Sequence, residues 1–318
     1  MKTSLKNLQK DFPLKSLTTI QTGGTAKGLV IVKTDKELIN VVSILKRDGI
    51  RFLIVGGLSN LLFSDKGFDG IIVKNEVSGI EENNGIITAK SGTVLQDLVD
   101  FTIEKGLAGL DKITGIPGTV GGAIYGNAGA YGQTISDFIT SVTILKNGQN
   151  TRLSKSDCGF DYRTSVFKET HDIILNSEFQ LTKSNSDSLR KESQEILSQR
   201  VKKYPPGLKS PGSFFMNVYA SKIPAEGLKL IPEEKIRNGR AHVGWILESV
   251  GAKGYRVGGV EVANYHGNLF INKGNGTSDD YLKLSADLAK RVRNKYGIVL
   301  EPEVQLIDLP EAGSRPLQ

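Results

Sequence analysis

The feature that most constrains this chain is a glycine-rich stretch at residues 115–132, which reads GIPGTVGGAIYGNAGAYG and contains seven glycines. Glycine loses more backbone entropy on folding than any other residue and adds no side chain to a core. Such density indicates a place where the main chain approaches something closely or adopts positive φ. Bare backbone N–H groups in such a loop suit the phosphates of a nucleotide.

Two common nucleotide motifs do not fit this stretch. A Walker loop places Lys and then Ser or Thr after its last glycine, but Ala123 and Ile124 follow Gly122. A dinucleotide-binding turn has the spacing GxGxxG, whereas residues 115–122 read GxxGxxGG. Alone, the stretch could be a glycine-rich surface loop. A second loop, VGGLSN at 55–60, also follows an apolar segment, and the two could hold one extended diphosphate from two sides.

The composition predicts a soluble chain with a substantial core. With 318 residues, 38% hydrophobic and 24% charged, the chain is long enough for two or three domains. Residues 1–17 have no continuous apolar segment, so no signal peptide is expected, and no apolar run approaches a membrane span. One cysteine, Cys158, excludes an internal disulfide and is expected to be a packing residue, while three histidines without ligand spacing predict no metal site. These features favour the cytoplasm.

The net charge of +7 allows either nucleic acid or an anionic small molecule as a partner. Basic residues are mixed with acidic ones along the chain, as solvated helix faces require. Aromatic residues make up 7% and do not cluster with the basic ones, so a nucleic-acid partner is not expected.

Local signals predict alternating strands and helices of the α+β class, in at least two lobes. The sequence TDKE at 34–37 is a capping box for a helix ended by Gly49, and TVLQ at 93–96 caps a helix ending near Gly106. Further helices are expected at 186–204, with Leu189, Ile196, Leu197 and Val201 inward, and at 243–250 and 278–296. Strands are expected at 28–33, 51–55, 70–74, 173–181, 258–263, 269–272 and 301–308, with hairpin turns at 83–85 and 147–148. The sequence PPG at 205–207 is expected to break a helix and mark a domain boundary.

Six short motifs follow one another along the chain. They are TTIQTGG at 18–24, GGLSN at 56–60, the glycine-rich stretch, FDYRTSVF at 160–167, GSFFMN at 212–217 and LEPEV at 300–304. In this order they resemble the UDP-N-acetylenolpyruvoylglucosamine reductase family. The resemblance covers about residues 18–307, nearly the whole chain.

This resemblance implies a flavoenzyme with a two-subdomain FAD-binding fold of the vanillyl-alcohol-oxidase (PCMH) type and a C-terminal α+β substrate domain. FAD would be bound non-covalently, and NADPH would reduce it. The reaction would convert UDP-N-acetyl-3-O-(1-carboxyvinyl)glucosamine to UDP-N-acetylmuramate for peptidoglycan synthesis, in a monomer with no nucleic-acid or membrane partner. The implied bounds are 1–184 for the FAD domain (subdomains about 1–75 and 76–184), 185–210 for a connecting helix and linker, 211–307 for the substrate domain and 308–318 for a tail.

The family pattern also implies roles for individual residues. Arg163 matches a catalytic arginine, Glu303 a catalytic glutamate and Ser213 the proton donor. A planar guanidinium can hold both oxygens of a carboxylate as negative charge develops on it. The implied cofactor-binding residues are Gly56, Gly57, Leu58, Ser59, Asn60, Leu61, Gly115, Ile116, Pro117, Gly118, Thr119, Gly121, Gly122, Ala123, Asn127, Ala128 and Gly129, with Arg200 facing the flavin phosphates. The implied substrate-binding residues are Tyr131, Lys203, Asn217, Lys253 and His266.

Three positions depart from the family pattern: Leu58 replaces a usual glycine, Met216 a usual lysine and Val218 a usual proline. Two other functions stay open. One is a different FAD oxidoreductase of the same fold that acts on a sugar or hydroxy acid, although its usual covalent histidine is absent, since Ser59 occupies that loop. The other is a non-catalytic binder of a nucleotide-sugar or nucleic acid, which only the positive charge favours.

Overall fold

The computed structural model describes residues 5–310, so the ends of the predicted first domain and of the predicted tail lie outside the described residues. The chain divides into two compact units. Among the described residues, unit 1 comprises 5–12, Lys27–Gly57 and Asp69–Lys202, and unit 2 comprises Pro13–Ala26, Leu58–Phe68 and 203–310. The domain bounds implied by the family resemblance stay a prediction.

Helices and strands are interspersed along the described chain, but the alternation expected from the sequence is interrupted by runs of strands, such as the five between residues 52 and 90. The helices are α1 Asp35–Arg47, α2 Leu95–Glu104, α3 Val120–Tyr125, α4 Phe167–Thr170, α5 Ser186–Lys203, α6 Ala225–Leu228, α7 Val243–Glu248 and α8 Ser278–Tyr296. The strands are β1 Gln9–Pro13, β2 Thr25–Val32, β3 Phe52–Val55, β4 Leu61–Phe63, β5 Phe68–Asn75, β6 Ile80–Asn83, β7 Ile86–Lys90, β8 Leu107–Ala108, β9 Gly129–Ala130, β10 Gln133–Thr134, β11 Ile139–Lys146, β12 Gln149–Ser154, β13 Ile173–Gln180, β14 Thr182–Lys183, β15 Val218–Tyr219, β16 Ile236–Arg237, β17 Arg240–Ala241, β18 Arg256–Val257, β19 Val260–Val262, β20 Phe270–Asn272 and β21 Gln305–Ile307.

Unit 1 contains two larger sheets and two hydrophobic cores. The order β1-β2-β5-β3 gives a four-stranded sheet, and β12-β11-β13-β7-β6 gives a five-stranded one. The buried face of α1 packs with strand residues such as Val30 and Ile71. The buried faces of α2 and α3 pack with residues of the five-stranded sheet such as Val142 and Phe179. Cys158 is fully buried in this second core, which confirms its predicted packing role.

The predicted hairpins of unit 1 are confirmed. Strands β6 and β7 pair across Asn84 and Gly85, which have φ of 51° and 80°. Strands β11 and β12 pair across Asn147 and Gly148, with φ of 50° and 78°. Positive φ at both central residues is what a two-residue hairpin turn requires, and Asn-Gly accepts it at little cost.

Thr34 begins α1 as predicted, but only half of the expected capping box forms. The Thr34 hydroxyl accepts the Glu37 N–H at 3.1 Å. The Glu37 carboxylate accepts the N–H of Lys33, at 2.7 Å, which lies one residue before the cap. The helix ends at Arg47 before Gly49, whose φ of 62° is left-handed, as the sequence predicted.

Two predictions about helices are wrong, one about the cap of α2 and one about the buried face of α5. Val94 occupies the N-cap of α2 without a side-chain hydrogen bond, because the Thr93 hydroxyl is bonded to the backbone of Gly79 at 3.1–3.2 Å. On α5, the expected inward positions Leu197 and Val201 are 41% and 43% exposed, whereas Leu189 and Ile196 are buried. Leu197 instead lies against Gly115, so its exposed surface lines a cleft.

Unit 2 is built around an aromatic core and one long helix. Its sheets are β15-β17-β16, β18-β19-β20 and the parallel pair β21-β4. The predicted last helix is confirmed as α8, which a Thr277–Asp280 capping box opens and Gly297 ends with φ of 67°. The rings of Phe214 and Phe270 stack at a centroid distance of 4.6 Å in its core.

No helix within residues 5–310 is long and apolar enough to cross a membrane. The same residues bring together no group of three or more His, Cys, Asp or Glu that could hold a metal ion. His242 and His266 do approach each other in unit 2, with ring centroids 6.3 Å apart, although 24 positions separate them in the sequence.

Candidate functional site

The two glycine loops lie against each other in unit 1. A Cβ added to Gly57 would lie 2.8 Å from the Cα of Gly118, and one added to Gly56 would collide with the Thr119 hydroxyl. Backbone therefore packs directly on backbone here. Only glycine at 56 and 57 permits this approach, which is the close main-chain contact that the sequence indicated.

The glycine-rich stretch is anchored on the segment before α2. The N–H of Gly121 donates to the C=O of Ser91 at 2.8 Å, and the N–H of Val120 donates to the C=O of Thr93 at 2.9 Å. A Cβ on Gly121 would lie 2.8 Å from the Cβ of Ser91. The Thr119 hydroxyl accepts the Gly122 N–H at 3.4 Å, so the start of α3 is fixed.

Two other glycines of this stretch leave room for a side chain. A Cβ on Gly122 would have its nearest neighbour at 3.5 Å and one on Gly126 at 3.7 Å, although neither has positive φ. Gly122 lies within α3 and Gly126 is its C-cap four residues further on, so both follow the same side of the helix. Glycine is not required there by the protein's own packing. A bare backbone face of this kind fits a bulky ligand that lies directly on the main chain, as the diphosphate and rings of FAD would.

Asn127 has a buried polar atom that the described residues leave without a partner. Its side chain is 3% exposed, and its Nδ2 donates to the C=O of Asp161 at 2.8 Å. Its Oδ1 has no hydrogen-bond partner among residues 5–310. Buried polar atoms are nearly always hydrogen-bonded, so this oxygen also fits a bound group.

Arg163 is held beside the end of the glycine stretch. Its guanidinium donates to the C=O of Gly129 at 2.6 Å and to the C=O of Asn127 at 3.4 Å. Its backbone has a left-handed φ of 57°, and its own C=O accepts the Lys168 ammonium at 2.7 Å. A strained residue with so many supports has a defined side-chain position, as a functional arginine needs.

A cleft of about 550 Å³ in unit 1 runs along the side of the glycine stretch. Four of the predicted flavin residues, Gly115 to Gly118, line it together with residues of α2 and α5. Gln96 fixes one wall, because its Oε1 accepts the Gly115 N–H at 2.7 Å. Sequence reasoning took Gln96 for part of a helix cap and missed this role. A Cβ on Gly115 would lie 3.1 Å from Arg200 Nε, so Arg200 lies close to the stretch.

The remaining predicted residues of unit 1 lie in α3 or after it. Ala123 is buried and Ala128 is partly buried in the second core. Tyr131 lies at the tip of the β9–β10 hairpin with φ of 50° and a 48% exposed side chain. A tyrosine so exposed on a tight turn has little to pack against in its own unit.

In unit 2, Ser213 begins a segment held between two others. Ser213 forms an isolated antiparallel bridge with Leu269, and Phe215 forms one with Pro302. The Glu303 N–H donates to the C=O of Phe214 at 2.8 Å. The backbones of Ser213 and Glu303 are therefore close neighbours, although 90 positions separate them in the sequence. Two of the three predicted catalytic residues thus lie on neighbouring backbone segments.

Two asparagines hold this arrangement together, and the sequence pointed to neither role. Asn268 Oδ1 accepts the Phe215 N–H at 2.9 Å, and its Nδ2 donates to the Phe215 C=O at 2.8 Å. Asn60 Nδ2 donates to the C=O of Glu303 at 2.9 Å. Each amide completes backbone hydrogen bonds of a segment far away in the sequence, and such partners leave no local signal.

The rest of the second loop belongs to unit 2. Leu58 is buried with φ of 50°, a left-handed conformation that fits the glycine usual there in the family. The Ser59 C=O accepts the Thr19 hydroxyl at 3.5 Å. Leu61 begins β4 and pairs with Gln305 of β21. Burial of the Leu58 side chain offsets the backbone strain that a non-glycine residue carries here.

The predicted substrate residues of unit 2 include a histidine that is kept neutral. Burial and the positive charge of Lys203 lower the pKa of His266 to about 4. Its Nδ1 accepts the Asn268 N–H at 3.2 Å, so Nε2 carries the proton. Lys253 forms an ion pair with Glu248 at 2.9 Å, and the Asn217 Oδ1 accepts the N–H of Val243, the first residue of α7, at 3.0 Å.

Comparison with known proteins identifies related sequences and a related structure. Residues 26–154 match the model of an FAD binding domain, and residues 203–307 match that of the UDP-N-acetylenolpyruvoylglucosamine reductase C-terminal domain. The chain is 37% identical over 296 residues to the UDP-N-acetylenolpyruvoylglucosamine reductase of Solibacter usitatus, covering 93% of this chain and 95% of that protein. It is 36% identical over 290 residues to the reductase of the same name from Thermotoga maritima, covering 91% and 95%. A crystal structure of UDP-N-acetylenolpyruvylglucosamine reductase (MurB) from Thermus caldophilus is similar with a TM-score of 0.75 and 26% identity, over 95% of this chain and 100% of that one.

These matches confirm three predictions: the α+β class with an FAD-binding fold followed by a C-terminal domain, the FAD cofactor and the oxidoreductase class. The share of each relative that is covered shows that the likeness extends over both units. The chain belongs to the UDP-N-acetylenolpyruvoylglucosamine reductase family of FAD-dependent oxidoreductases.

Proposed function

We propose that this chain reduces UDP-N-acetyl-3-O-(1-carboxyvinyl)glucosamine to UDP-N-acetylmuramate, with NADPH as the reductant, in the supply of peptidoglycan precursors. The match of residues 203–307 to the C-terminal domain of these reductases carries the proposal. FAD-binding domains occur in enzymes with many different reactions, so the substrate is inferred from the C-terminal part of the chain.

FAD, once reduced, supplies the hydride that the terminal alkene carbon of the substrate receives. In our proposal the bare backbone of Gly122 and Gly126 would lie against the cofactor, while Gly56 and Gly57 pack on Thr119 and Gly118 of the same stretch. The buried Oδ1 of Asn127 would accept a hydrogen bond from the cofactor. Neither glycine loop contains His or Cys, so FAD is held non-covalently.

Arg163 stabilises the negative charge that hydride addition leaves on the substrate. That charge spreads from the carbon beside the carboxylate onto the carboxylate oxygens, where a planar guanidinium meets it best. The two carbonyl contacts of Arg163, with Gly129 and Asn127, orient the guanidinium before the substrate arrives. Preorganised charge of this kind has no reorganisation cost at the moment of reaction.

Ser213 donates the proton that completes the reduction, to the carbon beside the carboxylate. An alcohol is a weak acid near neutral pH, but an enolate carbon held in contact with it is basic enough to take its proton. The burial of Phe214 and Phe215 fixes the segment that carries Ser213. Glu303 assists only with its carboxyl group protonated or sharing a proton, because a second free carboxylate would repel the charge that forms.

The diphosphate and sugar are held by polar and basic side chains, which we assign to Lys203, Asn217, Lys253, His266 and Tyr131. Ammonium groups bind phosphate oxygens by charge-assisted hydrogen bonds. His266 contributes as a neutral donor through Nε2, since its low pKa keeps it uncharged at neutral pH. The cytoplasmic location, the monomeric state and the lack of nucleic-acid partners stay predictions.

A turnover assay tests this function. The purified protein should be yellow, should release its colour into the supernatant on acid precipitation, and should oxidise NADPH only when the enolpyruvyl substrate is added. Oxidation of NADPH with a hydroxy acid or another sugar, and not with this substrate, would identify a different FAD oxidoreductase. A colourless protein that binds the nucleotide-sugar without turnover would indicate a non-catalytic binding protein.

A further inference from the structure

The carboxylate of Glu248 connects two of the proposed substrate residues in unit 2. Glu248 is the last residue of α7. One carboxylate oxygen forms an ion pair with Lys253 Nζ at 2.9 Å, and the other accepts the N–H of Gly267 at 3.1 Å. Gly267 directly follows His266 in the sequence. A single side chain thus contacts one proposed substrate residue and the turn that carries the other.

The turn with His266 is packed tightly onto α7. A Cβ on Gly267 would lie 2.6 Å from the C=O of Gly244 and 2.7 Å from Glu248 Cγ. A Cβ on Gly244 would lie 3.3 Å from two atoms of the His266 ring. Glycine at 267 is therefore needed for the turn to rest on the helix, glycine at 244 leaves space for the imidazole, and the Glu248 hydrogen bond holds the turn in that place.

The same turn continues to the segment that bears Ser213. Asn268, the residue after Gly267, makes the two side-chain hydrogen bonds to Phe215 described above. Its C=O accepts the Phe214 N–H at 2.9 Å. Displacement of Gly267 would therefore be passed on to Phe214 and Phe215 through direct hydrogen bonds.

Electrostatics alone does not account for a glutamate at this position. An acidic side chain at the C-terminal end of a helix is disfavoured by the helix dipole. It also cancels the charge of Lys253, which weakens attraction to an anionic substrate. Burial by itself raises the pKa of Glu248, but Lys253 and the Gly267 N–H outweigh that effect and lower it, so the carboxylate is charged. The contacts of Glu248 with Lys253 and with the Gly267 N–H are therefore the remaining explanation for a glutamate at this position.

We propose that Glu248 is a positioning residue for nucleotide-sugar binding. It aims the Lys253 ammonium and holds the His266 turn on α7, without touching substrate itself. This inference rests on the proposed function, because it takes Lys253 and His266 as substrate contacts. Loss of one well-placed charged contact corresponds to about a tenfold weaker affinity.

Two variants separate the contacts that Glu248 makes. Glu248→Ala removes both, so the KM for the enolpyruvyl substrate should rise at least about tenfold while NADPH reduces the flavin at the normal rate. Glu248→Gln keeps an acceptor for the Gly267 N–H and loses only the charge that holds Lys253, so its KM should lie between wild type and Glu248→Ala. Glu226→Ala is the matched control, because it also removes a Lys ion pair, with Lys229 at 2.8 Å, from an 86% exposed glutamate of unit 2. It should leave KM unchanged.

A double-mutant cycle decides whether Glu248 acts through Lys253. If it does, Lys253→Ala and Glu248→Ala should not be additive in product affinity measured by titration calorimetry. Additive losses, or a lowered Tm with an unchanged KM, would overturn the proposal and leave Glu248 a structural residue. A wild-type protein that fails to turn over the substrate would instead contradict the proposed function, so the two failures are distinguishable.

Discussion

The two units provide their functional residues by different means. In unit 1 the main elements are backbone: Gly56 and Gly57 pack on Gly118 and Thr119, and Gly122 presents a bare helix face. In unit 2 the main elements are side chains whose backbone segments are fixed by polar side chains elsewhere in the chain, as Asn268 fixes the Ser213 segment through the Phe215 backbone. Backbone N–H groups suit phosphates common to many ligands, whereas placed side chains distinguish one substrate from another. Changes in unit 1 should therefore alter cofactor binding, and changes in unit 2 should alter the substrate step.

The largest effect is expected from Ser213→Ala. NADPH reduces the flavin without a proton from Ser213, so bleaching of the flavin in a stopped-flow instrument should keep its normal rate. Reoxidation by the enolpyruvyl substrate should slow by about 10² to 10⁴, the usual contribution of a general acid. The exposed Ser221 offers the control Ser221→Ala, which should change neither step. Slow flavin reduction in the Ser213 variant would contradict the assignment of cofactor binding to unit 1 and of the substrate step to unit 2.

Arg163→Lys tests the side chain of unit 1 that we assign to catalysis of the substrate step. Lysine keeps the charge but loses the planar fork, and removal of such preorganised stabilisation costs about 10² to 10³ in kcat. Steady-state kinetics should show this loss with a smaller change in KM. The exposed Arg152, paired with Glu178, offers Arg152→Lys as a control that should behave as wild type. A raised KM with normal kcat would reassign Arg163 to binding alone.

Gly57→Ala should weaken the cofactor site while sparing unit 2. The added Cβ has to displace the Gly118 backbone, and overpacking of this kind costs about 1–3 kcal/mol. The FAD dissociation constant should rise roughly tenfold or more, measured by fluorescence of the released flavin. Gly122→Ala is the matched comparison, because the protein leaves room for its Cβ. Its FAD-free form should keep or gain thermal stability, and a loss there would show that Gly122 serves the fold.

The prediction with the smallest effect at neutral pH concerns the stability of unit 2, which falls only at mildly acidic pH. The pKa of His266 is about 4 in the folded chain against 6.5 for the free side chain, so the unfolded state takes up its proton first as the pH falls. Stability is therefore lost between pH 6.5 and 4. At pH 5 this histidine should cost roughly 2 kcal/mol in the free energy of unfolding. Urea unfolding of wild type and His266→Gln at two pH values measures this loss of unfolding free energy. If the free energy changed equally with pH in both proteins, the assigned burial of His266 would be contradicted.

Local elements of both units were predictable because their signals lie within a few residues. Asn-Gly turns and the bounds of α8 followed directly from the sequence. The Thr93 cap failed because its hydroxyl binds Gly79, which the chain brings near only after folding. Leu197 was expected inside because helical periodicity cannot tell a core from the wall of a cleft.

The close approach of main chain at the glycine loops was predictable from the sequence, whereas side-chain contacts with distant parts of the chain were not. The close approach of Gly57 and Gly118 follows from what glycine allows. The hydrogen bonds of Asn60 and Asn268 join residues 243 and 53 positions apart, so nothing near either asparagine reveals its partner. Pairing of His242 with His266 was missed for the same reason.

Anaerobic single turnover tests the central claim most directly. The bound FAD is first reduced with one equivalent of NADPH, and the enolpyruvyl substrate is then added without oxygen. The absorbance of oxidised flavin should return in full, with one UDP-N-acetylmuramate formed per flavin. Flavin that stays reduced until air is admitted would contradict the account, because the cofactor in unit 1 would then have no link to the substrate assigned to unit 2.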